Sequence, residues 1–509
     1  MQLKSKKEKV KIMKTFNGFG ESIKHFFFAF LLLPFAFSFV SAQTETPPAP
    51  SAPKSVNIPA VKEKKLPNGL TVAVIERKSV PIVTVQLLIK SGASAESADK
   101  AGLADMTASL LTKGTKTRTA TQIAEQIEFL GGSINTGASW NNSVVSVNIM
   151  ADKLEQALEI MSDVALNPSF KQEEIDLLKS QTLDGLTYNL KQPGFLANYV
   201  AAKYSFNEHP AGGTPESLGK INQTDILAFH KEYFSPENAV LIFTGDITGE
   251  KADNIAQKFF GQWKKSPKSP VQIKALTPPR SAMGEKQLFK RLLVIDLPNS
   301  GQAAVNYARE LRSVGRTQKE YYFPASVLNS LLGGGYSSRL NQEIRIKRGL
   351  SYGAGSSFAW RGWRTNFGTR TQTKNESAAE VAELVLAEVK RLTEGAIADS
   401  ELSPRKSVLT GGFGRNLETT QGLAAAVADL YSFDLPTSEL NSYTKNVETV
   451  KDAQIRDFAK ANLLGGDIII VGDYAKFKDD LAKRFPNMKI EIVKAAELDL
   501  KKFDQANNH

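Results

Sequence analysis

The 509-residue sequence has no cysteine and only four histidines. Without cysteine there is no disulfide, thiolate zinc site, iron–sulfur cluster, thiol nucleophile or lipid-modified N-terminal cysteine. The histidines are His25, His209, His230 and His509, and no two stand at a metal-ligand spacing. Any hydrolytic chemistry must therefore proceed almost without imidazole. The apolar run Phe26 to Val40 is interrupted by Pro34 and falls short of the ~20 residues that a membrane-spanning helix needs. No Lys/Arg run is interleaved with aromatics, so nucleic-acid binding is not indicated. What remains is a soluble globular composition, 41% hydrophobic and 23% charged, on a chain long enough for roughly two to four domains.

Residues 1–42 read as an export signal. Lys4, Lys6, Lys7, Lys9, Lys11, Lys14 and Lys24 form a basic n-region, the apolar run follows, and Val40-Ser41-Ala42 before Gln43 fits a small-x-small cleavage site. This predicts a periplasmic protein, anchored to the membrane if the leader is not cut. Seven lysines against Glu8 and Glu21 place +5 of the net +11 in the leader, leaving a mild +6 for the rest. Residues 43–60 contain Pro47, Pro48, Pro50 and Pro53 and read as a spacer.

A second break, residues 264–287, carries Pro267, Pro270, Pro278 and Pro279. It reads as an interdomain linker between halves at 61–263 and 288–480, with 481–509 as a tail. The halves look duplicated. Glu174-Ile175 with Lys179-Ser180 recurs as Glu401-Leu402 with Lys406-Ser407, and the Gly245-Asp246 pair after an apolar run recurs as Gly472-Asp473, both offset by 227. Ile226 and Phe229 match Ile455 and Phe458 with a two-residue slip.

Periodicity predicts strands at Leu70–Ile75, Ile82–Ile89 and Val144–Met150, and helices near Ala101–Thr112, Ala120–Leu130 and Asp152–Val164. The second half reads as strands Leu292–Ile295 and Ala303–Tyr307, helix Phe323–Leu332, strands near Tyr352–Phe358 and Phe367–Thr371, then helix Ser377–Leu392. Without regular βα alternation this is an α+β fold rather than a doubly wound sheet.

Two short motifs carry little. Gly349-Leu350-Ser351-Tyr352-Gly353 matches the nucleophile elbow, but the only later histidine is His509, at the end of a polar tail. Leu331 to Tyr336 lacks the phosphate-loop spacing and reads as a helix stop. His209 lies in turn-like sequence and is expected at the surface; His230, beside Phe229, reads as a packing residue.

Two longer segments are specific. One runs from Leu66-Pro67-Asn68-Gly69-Leu70 through Ser91-Gly92 to Gly102-Leu103-Ala104-Asp105-Met106-Thr107-Ala108-Ser109 and Lys113-Gly114-Thr115. The other runs from Leu332-Gly333-Gly334-Gly335-Tyr336-Ser337-Ser338-Arg339-Leu340 to Arg345-Ile346-Lys347-Arg348-Gly349-Leu350-Ser351-Tyr352. Together they resemble the insulinase/pitrilysin family of zinc peptidases, over roughly Val61 to Asp473. The resemblance implies duplicated halves forming a clamshell-like half-chamber, with an inverted zinc motif H-x-x-E-H on the first long helix. Here its positions hold Asp105, Ala108 and Ser109, and a third ligand position falls near Asp184. Both imidazoles and the general base are gone, so the chain is expected to bind no zinc and to be inactive alone. Asp105 and Asp184 read as solvated carboxylates on a helix face rather than a cation site. By contrast, Arg345 and Tyr352 keep the family's substrate-binding spacing; a guanidinium and a phenol suit a carbonyl gaining negative charge.

The resemblance thus implies a non-catalytic subunit that pairs with a zinc-bearing paralogue as a heterodimer. It would bind an extended peptide along a sheet edge, with residues 264–287 as a hinge. The alternatives are a structural or assembly protein, like core subunits of respiratory complexes, or a peptide-binding protein with no peptidase role.

Overall fold

The computed structural model describes residues 58–266 and 289–499. The segment expected to be an export signal, most of the expected spacer and linker, the end of the expected tail, His25 and His509 lie outside the described residues. Both halves belong to one compact unit.

The first half contains β1 (Lys62–Lys65), β2 (Thr71–Glu76), β3 (Ile82–Ile89), α1 (Leu103–Leu110), α2 (Ala120–Phe129), β4 (Ser133–Ala138) and β5 (Ser143–Met150). It continues with α3 (Leu154–Leu166), α4 (Gln172–Asn189), α5 (Pro193–Tyr204), α6 (Pro215–Lys220), α7 (Gln223–Tyr233), β6 (Ala239–Gly245) and α8 (Gly249–Phe260). The second half contains β7 (Phe289–Asp296), β8 (Ala303–Arg312), α9 (Lys319–Leu332), β9 (Ser351–Trp360), β10 (Arg364–Thr373) and α10 (Ala378–Thr393). There follow α11 (Asp399–Leu417), α12 (Thr420–Ser432), α13 (Glu439–Glu448), α14 (Asp452–Asn462), β11 (Gly466–Gly472), α15 (Lys478–Arg484) and β12 (Ile490–Lys494).

The sheets have the orders β1-β2-β6-β3-β5-β4 and β12-β7-β11-β8-β10-β9. Five strands repeat: β2-β6-β3-β5-β4 in one corresponds to β7-β11-β8-β10-β9 in the other. In each repeat only the β2–β6 or β7–β11 pair is parallel. The starts of α4 and α11, of α5 and α12, and the ends of β6 and β11 are each separated by the 227 residues read from sequence. The fold is α+β, built from two homologous halves. Only the sixth strand breaks the symmetry: β1 joins its sheet antiparallel from the N-terminal side, while β12 joins parallel from the C-terminal side.

Strand side chains alternate between two buried faces. In the first half Val72, Val74, Val85, Leu87, Leu241 and Phe243 share a core with residues of its own helices, including Ile160, Ile226 and Ile255. The opposite face, with Ala73, Ile75, Leu88, Val240 and Ile242, packs on Leu423, Ala424, Val427 and Leu430 of α12, a helix of the second half. The exchange is reciprocal. Leu196, Ala197, Val200 and Ala201 of α5 pack on Leu293, Ile295, Ala304, Ile469 and Val471 of the second sheet. Burial on both faces explains why β6 and β11 read as unbroken apolar runs.

Polar contacts fix the exchange. Thr420 Oγ1 lies 2.8 Å from Thr84 Oγ1, and its carbonyl accepts from Thr244 Oγ1 at 2.8 Å. At the end of α5, Arg291 donates to the Tyr204 carbonyl and to Asp467 at 2.6 and 2.9 Å. These contacts tie the halves to one another across both sheets. Swinging the halves apart would strip α5 and α12 from their sheets, exposing side chains whose burial is each worth roughly 1.5–3 kcal/mol.

The interlock makes a prediction. Leu423→Ala, in the second half of the sequence, should cost about 2–5 kcal/mol. It should also accelerate amide exchange in β3 and β6 of the first half. Faster exchange confined to residues 289–499 would contradict the interlock.

Candidate functional site

The helix α1 starts at Gly102, whose φ of 93° is left-handed. The buried carboxylate of Glu96 caps it, accepting the N–H groups of Gly102 and Ala104 at 2.8 and 2.7 Å. Burial is the main cause that pushes the Glu96 pKa up to about 8; the nearby Asp105 charge adds to it and the two N–H groups oppose it. His209 Nδ1 lies 3.6 Å from the same carboxylate. His209 is buried, which corrects the expectation of a surface residue. Its ring packs 5.0 Å from that of Trp140. The preceding residue, Glu208, is gripped by Arg364 at 2.8 Å, Asn366 at 2.8 Å and Arg361 at 3.1 Å, all from the second half. Burial lowers the His209 pKa, so the imidazole is neutral at pH 7.

The inverted-motif positions follow on α1. The Asp105 carboxyl accepts a hydrogen bond from the backbone of Ala138, the last residue of edge strand β4. Burial raises its pKa. Asp105 is therefore not a solvated surface carboxylate, because β4 packs over it. Ala108 is fully buried, its methyl part of the core, and Ser109 is half-buried. Asp184 is exposed on α4. Zinc needs at least three nitrogen, sulfur or oxygen ligands converging on one point. These four positions do not fit that requirement: Ala108 is a methyl group, Asp105 is committed to a backbone N–H, Asp184 faces solvent, and Ser109 offers only a hydroxyl. Among the described residues no three His, Cys, Asp or Glu side chains converge as a metal site.

The second conspicuous region lies around β9. After α9, Gly333 passes so close to β9 that a Cβ there would sit 2.2 Å from the Ser356 nitrogen. The loop continues to a π-helical turn, Asn341–Ile346, which carries Arg345. Asn341 ties loop to strand, donating to the Tyr336 carbonyl and accepting from Ala354 N at 3.3 Å. Arg339 pairs bidentately with Glu401 at 2.7 and 2.8 Å, fixing the turn to α11. The Arg345 guanidinium carbon thus stands 4.8 Å from the Tyr352 ring centre and 5.1 Å from that of Tyr336. Tyr352 is 90% exposed, so its hydroxyl is presented outward. Both residues line a cleft of about 740 Å³. Sequence reasoning paired Arg345 with Tyr352 but missed further polar residues of the cleft, among them Asn198 of α5, Gln302, Asn306, Arg370 and Gln372. Asn306 Nδ2 donates to Asn198 Oδ1 at 3.2 Å, so the exchanged helix forms part of the wall.

The remaining motifs are structural. Ser351 opens β9, with its hydroxyl donating to the Gly353 carbonyl at 2.7 Å. A nucleophile elbow instead requires a strand turning into a helix. The Gly333–Gly335 loop follows α9 and forms part of the cleft floor. His230 is a packing residue: Nε2 lies 2.9 Å from the Ala165 carbonyl, the ring stacks on Phe234, and burial pushes its pKa down to about 4.

Comparisons with known proteins agree with this construction. Residues 71–200 match the family described as Insulinase (Peptidase family M16), and residues 220–409 match the one described as Peptidase M16 inactive domain. An uncharacterized zinc protease of Mycobacterium leprae is 27% identical over 372 residues, covering 72% of this chain and 81% of that protein. The protein named non-peptidase homolog YmxG of Helicobacter pylori is 23% identical over 415 residues, covering 79% and 91%. A solved peptidase M16 inactive domain from Pseudomonas fluorescens superposes with a TM-score of 0.72 at 24% identity, covering 81% of this chain and 98% of that one. The chain belongs to the insulinase (M16) peptidase family. It has that family's duplicated fold.

Glu96 generates a prediction about pH. Its folded-state pKa, near 8, lies above the ordinary 4.5. The folded chain therefore retains a proton that the unfolded chain has lost, and stability falls as pH rises between those values, by at most about 1.4 kcal/mol per pH unit from this group. Glu96→Gln should flatten the fall in melting temperature between pH 5 and 8 while lowering the melting temperature at pH 5, because one capping acceptor is lost. Parallel profiles for the two proteins would refute the assignment.

Proposed function

We propose that this chain is the non-catalytic subunit of an exported insulinase-family zinc peptidase, acting in the periplasm. Its partner is a paralogue that carries the zinc, and this chain supplies Arg345 and Tyr352 to the peptide held between them. The observation that supports this is the contrast between two regions of one molecule. At the motif positions of α1 a methyl is buried in the core and the Asp105 carboxyl is bonded to β4. Arg345 and the exposed Tyr352 stand together over a cleft of about 740 Å³.

The chemistry follows from these two donors. A guanidinium and a phenol directed at a peptide carbonyl stabilise the charge that develops on its oxygen during attack. Removing one such donor typically costs about 10²–10³ in rate. Neither residue can generate the nucleophile, which must come from the partner.

Purified alone, the protein should hold no stoichiometric zinc and cleave no peptide. Mixed with a zinc-bearing paralogue it should raise peptide cleavage, and Arg345→Ala or Tyr352→Phe should remove at least about tenfold of that gain, within the range expected for a lost donor. Chelator-sensitive proteolysis by the isolated chain would overturn the reading. Full activation of the partner by both variants would favour a structural or assembly role.

A further inference from the structure

The cleft that holds Arg345 and Tyr352 has an unbalanced lining. Two arginines, Arg345 and Arg370, line it, and no aspartate or glutamate does. Neither guanidinium has a carboxylate within 4.0 Å among the described residues. Arginines nearby are treated differently: Arg339 is paired with Glu401, Arg348 with Glu343, and Arg364 with both Glu208 and Glu310. The rest of the polar lining consists largely of side-chain amides, among them Asn198, Gln302, Asn306 and Gln372, which can accept from and donate to a peptide backbone. Glycines open the bed. A Cβ at Gly335 or Gly353 would meet nothing within 4 Å, so the space above the backbone is free for a ligand.

Two guanidinium groups facing one cavity without a counter-charge repel each other, and their fork geometry matches a carboxylate. A lysine or arginine side chain placed there would add a third positive charge. On this basis we infer that the cleft selects an extended peptide presenting a carboxylate at Arg370, supplied by an aspartate or glutamate side chain or by the peptide's own C-terminus. The inference rests on the reading above that this cleft binds peptide, and it adds the class of peptide. Arg345 and Tyr352 hold the main chain, while Arg370, on β10 at the cleft wall, sets the preference for acid.

The test uses the full chain and fluorescent ten-residue peptides of neutral polar sequence. One central position carries Glu, Gln or Lys, and each peptide has a free or an amidated C-terminus. Loss of a charge-assisted hydrogen bond corresponds to about tenfold in affinity. The Glu peptide, or the one with a free C-terminus, should bind about tenfold more tightly than its neutral counterpart, and the Lys peptide more weakly than either. Arg370 is exposed, so Arg370→Gln should fold normally. It should erase the preference, so that the Glu and Gln peptides bind alike, and Arg370→Lys should restore part of it. Dependence on Glu identifies a side-chain carboxylate; dependence on the free terminus identifies the C-terminal one. Equal binding of all charge variants would overturn the acid preference and leave the peptide site standing. Failure of every peptide to bind would overturn both.

Discussion

The reciprocal exchange of α5 and α12 is the constraint on which the rest of the molecule depends. Each sheet has two apolar faces, and its own half supplies helices for only one of them. Ala73, Ile75 and Ile242 would face water without α12, just as Leu293, Ile469 and Val471 would without α5. A sheet exposing such a face is an aggregation hazard as well as a loss of stability. Duplication thus did more than repeat a domain; it produced two halves that complete one another.

The exchange also determines where a site can be built. Because α5 lies across the second sheet, it brings Asn198 against Asn306 and closes one wall of the cleft that holds Arg345. Glu208, just past the same helix, reaches Arg361, Arg364 and Asn366 and fastens the first half to the β9–β10 hairpin. The position of the hairpin is therefore set from both halves. A rigid frame suits residues that must present donors within tenths of an ångström.

Much of this was legible in the sequence, for identifiable reasons. The strand Ile82–Ile89 was read to the residue because Val83, Val85, Leu87 and Ile89 alternate as one apolar face and it is bounded by a turn and a Ser-Gly pair. The 227-residue offset was visible because equivalent strands and helices keep the same buried positions. The exchange itself was not legible: a helix apolar on one side looks the same whichever sheet it covers, and α5 shows almost no amphipathic stripe because much of its circumference is buried. His209 was misplaced for a related reason, since turn-like residues usually lie at the surface, and only the tertiary packing of Trp140 and Glu208 buries this one. Glu96 left no signal beyond standing six residues before the first residue whose N–H it caps.

The two candidate regions differ in how completely the protein satisfies its own groups. At α1 several groups find internal partners: Glu96, ahead of the helix, takes two backbone N–H groups, Asp105 takes a third, and Ala108 fills a space in the core. The helix also packs against β4. Around β9 the reverse holds. An arginine is kept beside two aromatic rings without an acid, a second arginine lines the same cleft, and a tyrosine is left 90% exposed. Folding alone gains little from such an arrangement, since unbalanced like charges and an exposed aromatic ring stabilise no core. Groups that fold without internal partners are suited to an external one. That contrast within a single chain, more than any single residue, distinguishes its two halves.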